Sequence, residues 1–305
     1  MRALLLQRGV RLAAPAVYAA ALAAYMWLEG IPVGRERLLA WIVLGLLAVS
    51  VAHPGGWVRS VLLEWLPFAL VLVAYDILRG QADDLFREAW YRPQLEADAF
   101  LFGGTVPTVW LQERLWNGPR DVRWYDFALW GVYMSYFVAT YVVAGVLWVV
   151  SRPRFRRYVG SVVALALMGL VTFALFPAAP PWLASRAGEL EATTRLIGPV
   201  SAEVPFLFFS FEGLWERGSE WSNPVAAVPS LHAAYTLLVV LFLWRYAGRW
   251  RPLLALYPPA MALALVYGAE HYVVDVLLGW AYTLLAVWLV GRLADRLAYG
   301  RVRAR

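Results

Sequence analysis

The stretch "NPVAAVPSLHAAYTLLVVLFLW", residues 223–244, sets a histidine at the mouth of an apolar run. From Leu237 to Trp244 no side chain is charged, and a sequence of that kind suits hydrocarbon better than water. The surrounding chain extends the pattern. Of its 305 residues 62% are hydrophobic and 16% charged, where a soluble domain carries about 25% charge. The charges fall between apolar stretches of roughly 17–25 residues, the length that crosses a bilayer as a helix. An all-α, polytopic membrane protein follows, because helices satisfy their own backbone in lipid.

The expected architecture has about eight transmembrane helices, near residues 11–29, 36–53, 58–78, 122–150, 158–178, 230–247, 252–270 and 272–292. The N-terminus has the look of a signal peptide but no convincing small-residue cleavage site, and it reads as a span. The second span breaks early at His53, Pro54, Gly55 and Gly56. Three segments are strongly basic: Arg152, Arg154, Arg156 and Arg157; Arg245, Arg249 and Arg251; and the tail with Arg292, Arg296, Arg301, Arg303 and Arg305. Such segments stay in the cytoplasm. The connection at about 179–229, with Glu189, Glu191, Glu203, Glu212, Glu216 and Glu220, belongs outside, as does the one at about 79–121. Both termini then face the cytoplasm. The net charge of +6 is accounted for by topology, and no patch fits nucleic acid. Both outer connections contain aromatic segments, "FLFGGTVPTVWLQERLW" (100–116) and "VPFLFFSFEGLWERGSEW" (204–221), which read as interfacial or re-entrant pieces or as plain surface helices.

With no cysteine in the chain, disulfides and thiolate metal sites are excluded. All 27 basic residues are arginine, which excludes lysine chemistry.

Ionisable groups at membrane depth cost about 2.5–3.5 kcal/mol each and call for a reason. Two groups stand out: "VPSLHAA" with Pro229, Ser230 and His232, and "YGAEHYVVDVLLGW" with Glu270, His271 and Asp275. Four residues apart on a helix, His271 and Asp275 share a face. The carboxylate would fix the imidazole tautomer and leave the far nitrogen free. The topology brings His232 to the same outer depth. Pro229 suits a first helical turn, and Ser230 with free N–H groups at that helix start offers an anion cradle. These are parts for phosphoryl transfer through a phosphohistidine, one imidazole attacking and the other protonating the departing oxygen. The same residues would also serve a zinc site formed by His232, His271, Asp275 and Glu270, although no further helix-borne ligand is evident. A polar pair satisfying itself inside a bundle, or a proton relay in a transporter, uses them as well. No internal repeat of the transporter kind is visible.

At these residues the chain resembles the type 2 phosphatidic acid phosphatase superfamily, and within it the branch of inositol phosphorylceramide and sphingomyelin synthases. The family's Pro-Ser-x-His motif is matched by Pro229, Ser230, Leu231 and His232, and its His-x-x-x-Asp by His271 to Asp275. The resemblance implies a six-helix core formed by the third to eighth spans, within residues 57–305, preceded by two helices in 1–56. It makes His271 the nucleophile, Asp275 its partner and His232 the general acid, with no metal and no cofactor. Two family features are missing. The Lys-x6-Arg-Pro motif has no lysine to build it, and "FPAAPPWLAS" (176–185) stands there instead. The Ser-Arg pair upstream of the third-motif histidine is replaced by Ala264 and Leu265. A phosphodiester, with one negative charge, needs less clamping than a monoester dianion, so the losses point to head-group transfer.

The expected function is therefore lipid phosphotransfer at the outer leaflet of the plasma membrane, moving a phosphorylated head group to a hydroxyl on a lipid or glycan. The alternative delivers the phosphate of phosphatidate or a polyprenyl pyrophosphate to water. Beside the catalytic three, substrate contacts are expected from Ser230, Arg79, Asn223, Pro180, Trp182 and Tyr272. Arg114, Arg120 and Arg195 rank behind Arg79 as phosphate clamps, and His53 has no role.

Overall fold

The computed structural model describes residues 2–29, 35–51, 56–80, 89–204 and 223–303. His53 and most of the second aromatic outer segment lie outside the described residues. The protein is all-helical. Among the described residues there is no strand, only isolated bridges pairing Ala178 with Trp90 and with Ala226. The chain falls into two compact units, one holding Met1–Ile77 and the other Leu78–Val204 with Asn223–Arg305.

In the first unit, α1 (Arg2–Glu29) and α2 (Arg35–Val51) pack together. The Tyr18 hydroxyl donates to the Trp41 carbonyl at 3.0 Å. Gly45 admits the Tyr18 ring, since an added Cβ would lie 2.8 Å from it. The third helix, α3 (Trp57–Gly80), begins here and includes a wider turn at Val61–Trp65, just before Pro67. A proline removes a backbone donor and crowds the preceding turn, and a locally widened turn relieves both.

The second unit holds two short helices, α4 (Arg92–Leu101) and α5 (Pro107–Leu115), then α6 (Trp124–Val150) and α7 (Arg152–Leu175). Two more short helices follow, α8 (Pro181–Arg186) and α9 (Ile197–Glu203), then α10 (Leu231–Leu243), α11 (Arg251–Ala255), α12 (Tyr257–Tyr267) and α13 (Val273–Arg303). At the centre α10 touches α6, α7, α12 and α13, while α13 also packs on α7 and α4. Its apolarity on every side fits a helix enclosed by others.

Among the described residues four helices are long and apolar enough to cross a membrane: Trp57–Gly80, Trp124–Val150, Arg152–Leu175 and Val273–Leu297. Leu231–Leu243 is shorter. Two differences from the sequence reading have physical causes. The arginines expected in a loop after residue 150 form the first turns of α7, separated from α6 by Ser151 alone. Arginine is a good helix former, and Pro153 suits the first turn. The run expected as one span at 252–270 divides at Leu256 into α11 and α12. The pair Pro258 and Pro259 supplies no N–H to earlier carbonyls, so a helix restarts there.

Candidate active site

Helix α12 ends at Tyr267, and its exit places the chemistry. Gly268 closes the helix, and Ala269 follows in the left-handed region at φ 59°. Glu270 N–H returns to the Leu265 carbonyl at 2.9 Å, the wrap that ends many helices. His271 and Tyr272 then lead into α13, which begins at Val273. His271 and Asp275 are thus not stacked on one helix face. Asp275 sits in the first turn of α13 and folds back: Oδ2 accepts the Tyr272 N–H at 2.9 Å and lies 3.4 Å from His271 Nδ1.

His232 enters from the first turn of α10. Its Nδ1 is 3.4 Å from His271 Nε2. Tyr136 tilts against the His232 ring at a centroid distance of 4.2 Å, and Tyr133 stacks on it at 5.1 Å. His271 is buried, Asp275 is fully buried, and His232 is half-buried. The imidazole nitrogen that faces away from the carboxylate is therefore the one presented to the second histidine.

Ser230 is the N-cap of α10. Its Oγ accepts the Ala233 N–H at 3.3 Å, and its own N–H donates to the Asp275 carbonyl at 3.0 Å. With 0% exposure it joins the two motifs through its backbone. Pro229 precedes that cap instead of entering the first turn. Gly279 on α13 faces the same point, and an added Cβ would collide with the Ser230 carbonyl oxygen.

Arg79 and Asn223 are brought together, the Asn223 side-chain amide donating to the Arg79 carbonyl at 3.0 Å. The Tyr133 hydroxyl lies within electrostatic range of Arg79, Arg195 and Glu270. Pro180 is the buried N-cap of α8. Trp182 N–H donates to the Ala269 carbonyl at 3.1 Å, and its ring lies 4.7 Å from the Arg195 guanidinium. Tyr272 is fully buried, and that burial raises its phenol well above the usual range. Arg114 is exposed and lies over the Trp110 ring. Arg120 is exposed too.

Arg195 instead reaches the site directly. Its Nε meets Glu270 Oε1 at 2.7 Å and its terminal nitrogen meets Oε2 at 3.0 Å, a bidentate pair beside His271. Burial pulls the guanidinium down, but the charge and hydrogen bonds of Glu270, helped by Tyr133, hold it above its usual value. Glu270 is therefore engaged by a cation. Among the described residues no three His, Cys, Asp or Glu side chains cluster as a metal group.

Four residues of the site escape the sequence reading. Asp98, on α4, is fully buried and accepts the N–H groups of Val273 and Val274 at 2.8 and 2.9 Å. Burial pushes its carboxyl up to about 6, opposed by those two hydrogen bonds and reinforced by the Asp275 charge. Gln112 clamps the residue before Arg195, donating to the Thr194 carbonyl at 2.8 Å and accepting the Thr194 N–H at 2.8 Å. Tyr133 and Tyr136 carry one legible signal, a spacing of three that puts both on one face of α6. Asp98 and Gln112 carry none, because polar residues are ordinary in outer connections.

A family model described as the PAP2 superfamily matches residues 110–289, which include both histidines and Asp275. A curated protein of Bacteroides thetaiotaomicron named phosphoinositol dihydroceramide synthase is 32% identical over 145 residues. The match covers 46% of this chain and 46% of that protein, so the chain spans about half the length of the relative. No solved structure matches the chain.

Proposed function

The chain belongs to the PAP2 superfamily and is a membrane enzyme of the phosphatase and phosphotransferase type, and from that premise we propose that it transfers a phosphorylated head group from a phospholipid to a hydroxyl acceptor through a phosphohistidine. The observation that carries this reading is the alignment of Asp275 Oδ2, His271 and His232 Nδ1, with 3.4 Å on each side of the imidazole. With its proton on Nδ1, the nitrogen beside Asp275, His271 presents a lone pair at Nε2. That nitrogen attacks phosphorus, the P–O bond to the lipid alcohol breaks, and protonated His232 gives the departing oxygen its proton. His232, now neutral, takes the proton of the acceptor hydroxyl as that oxygen attacks phosphorus and the P–N bond breaks. Catalytic hydrogen bonds are often long before substrate binds, and 3.4 Å leaves room to tighten.

The relative's name supports a phosphoinositol-type donor and a lipid alcohol acceptor. The missing lysine and upstream arginine support a diester substrate over a phosphate dianion. Arg79 is assigned to the phosphate, with Asn223, Pro180 and Trp182 shaping the pocket. The membrane arrangement proposed with it has about eight crossings, six of them forming the catalytic core. Both termini lie in the cytoplasm, and the site faces the outer leaflet of the plasma membrane.

The test is a product assay in detergent with His271→Ala alongside. Phosphatidylinositol plus long-chain alcohols should give diacylglycerol and a new phosphodiester, with turnover at least about a thousandfold lower in the variant. Orthophosphate released from phosphatidate or polyprenyl pyrophosphate, with no diester product, would assign the protein to hydrolysis instead.

A further inference from the structure

We propose that Glu270 sets the charge this pocket accepts: paired with Arg195 beside the nucleophile, it admits monoanionic phosphodiesters and rejects dianionic phosphate monoesters. This rests on the transferase reading above. Glu270 is the residue before His271 and is 7% exposed, so its charge acts through little solvent. Both its oxygens hold Arg195, at 2.7 and 3.0 Å.

The partner is as fixed as the carboxylate. Gln112 grips Thr194 by its N–H and its carbonyl, and Leu196 N–H donates to the Gly268 carbonyl at 3.3 Å. The face of Trp182 lies against the guanidinium. Arg195 is thus built into the loop that wraps the end of α12. It does not swing freely from the surface.

The charge balance then decides what enters. Tyr133, stacked on His232, is in electrostatic range of Glu270, Arg195 and Arg79. Arg79 and Arg195 are offset by Glu270 and Asp275, Asp98 adds negative charge where it is ionised against the Val273 and Val274 N–H groups, and the proton that His232 must carry leaves at most a single positive charge. A phosphodiester cancels it. A monoester dianion would leave net negative charge in a buried site, beside a carboxylate that cannot withdraw because its arginine is pinned.

Glu270→Gln keeps the shape and one acceptor oxygen for Arg195 while removing the charge. It should raise the ratio of phosphatidate hydrolysis to diester transfer by about tenfold or more. The wild type is assayed first. Absence of diester transfer there would overturn the transferase reading itself. Transfer in the wild type with an unchanged ratio in Glu270→Gln would overturn only the role of Glu270.

A second measurement needs no variant. A dialkyl phosphate keeps one charge throughout, whereas a monoalkyl phosphate gains its second near pH 6. The monoalkyl phosphate should inhibit the wild type relatively better at about pH 5.5 than at about pH 8, with the dialkyl phosphate as reference for any titration of the enzyme. Equal or better inhibition by the dianion at the higher pH would overturn the proposal.

Discussion

Asp98 buries a carboxylate against two peptide N–H groups of α13, within electrostatic range of Asp275. Its carboxyl is pushed up to about 6, above the usual value near 4 for aspartate. The folded state then holds the proton more tightly than the unfolded chain. The stability so gained is complete below about pH 4 and is lost as pH rises through about 6, at most about 3 kcal/mol in all. Asp98→Asn carries no such proton. The thermal midpoint of the wild type in detergent, measured against that variant, should fall between about pH 4 and 6 and level off above. A difference constant across that range would show that Asp98 does not titrate there. Turnover should drop about tenfold or more in the variant, because an amide satisfies one of the two N–H groups and repels the other. In the sequence His232, His271 and Asp275 stand out because polar groups inside apolar runs are costly. Asp98, Gln112 and Arg195 do not, since their neighbourhoods are polar already.

At the scale of elements, the meeting of α10 and α13 fixes the distance between the histidines. Ser230 donates its N–H to the Asp275 carbonyl, and Gly279 lets the two backbones touch. Gly279→Ala would place a methyl group on a backbone atom that no rotamer change can move aside. Overpacking of this kind costs about 1–3 kcal/mol, and a shift of about 1 Å between reacting groups costs about a hundredfold in rate. The variant should fold with a lowered thermal midpoint and lose most of its turnover, and wild-type turnover in it would show that this contact does not set the site. The sequence makes the long apolar helices readable through length and composition. It hides their ends: the arginines after residue 150 are as compatible with α7 as with a loop. It also places His271 on a helix by spacing, where the chain instead runs through a left-handed residue and a short link before Val273. Local backbone geometry of that sort has no periodic signature.

At the scale of the whole molecule, the proposed orientation rests on the arginine pattern, and the absence of cysteine makes it easy to test. Single cysteines at Asn117 and Ala187, both exposed in connections proposed to lie outside, should react with an impermeant maleimide on intact cells. Those at Arg156 and Arg249 should react only after permeabilisation. Labelling of all four from one side would overturn the topology.

The parts of the long connections that frame the site are fastened largely by main-chain atoms: Trp90 to Pro177 and Ala179, Ala227 to Ala178, Trp182 to Ala269, Leu196 to Gly268, and Ser230 to Asp275. Main-chain bonds are indifferent to the side chains they carry. The side chains around the two imidazoles are therefore free to drift by substitution while the rings stay in register, so one scaffold of this kind can change what it holds beside them without being rebuilt.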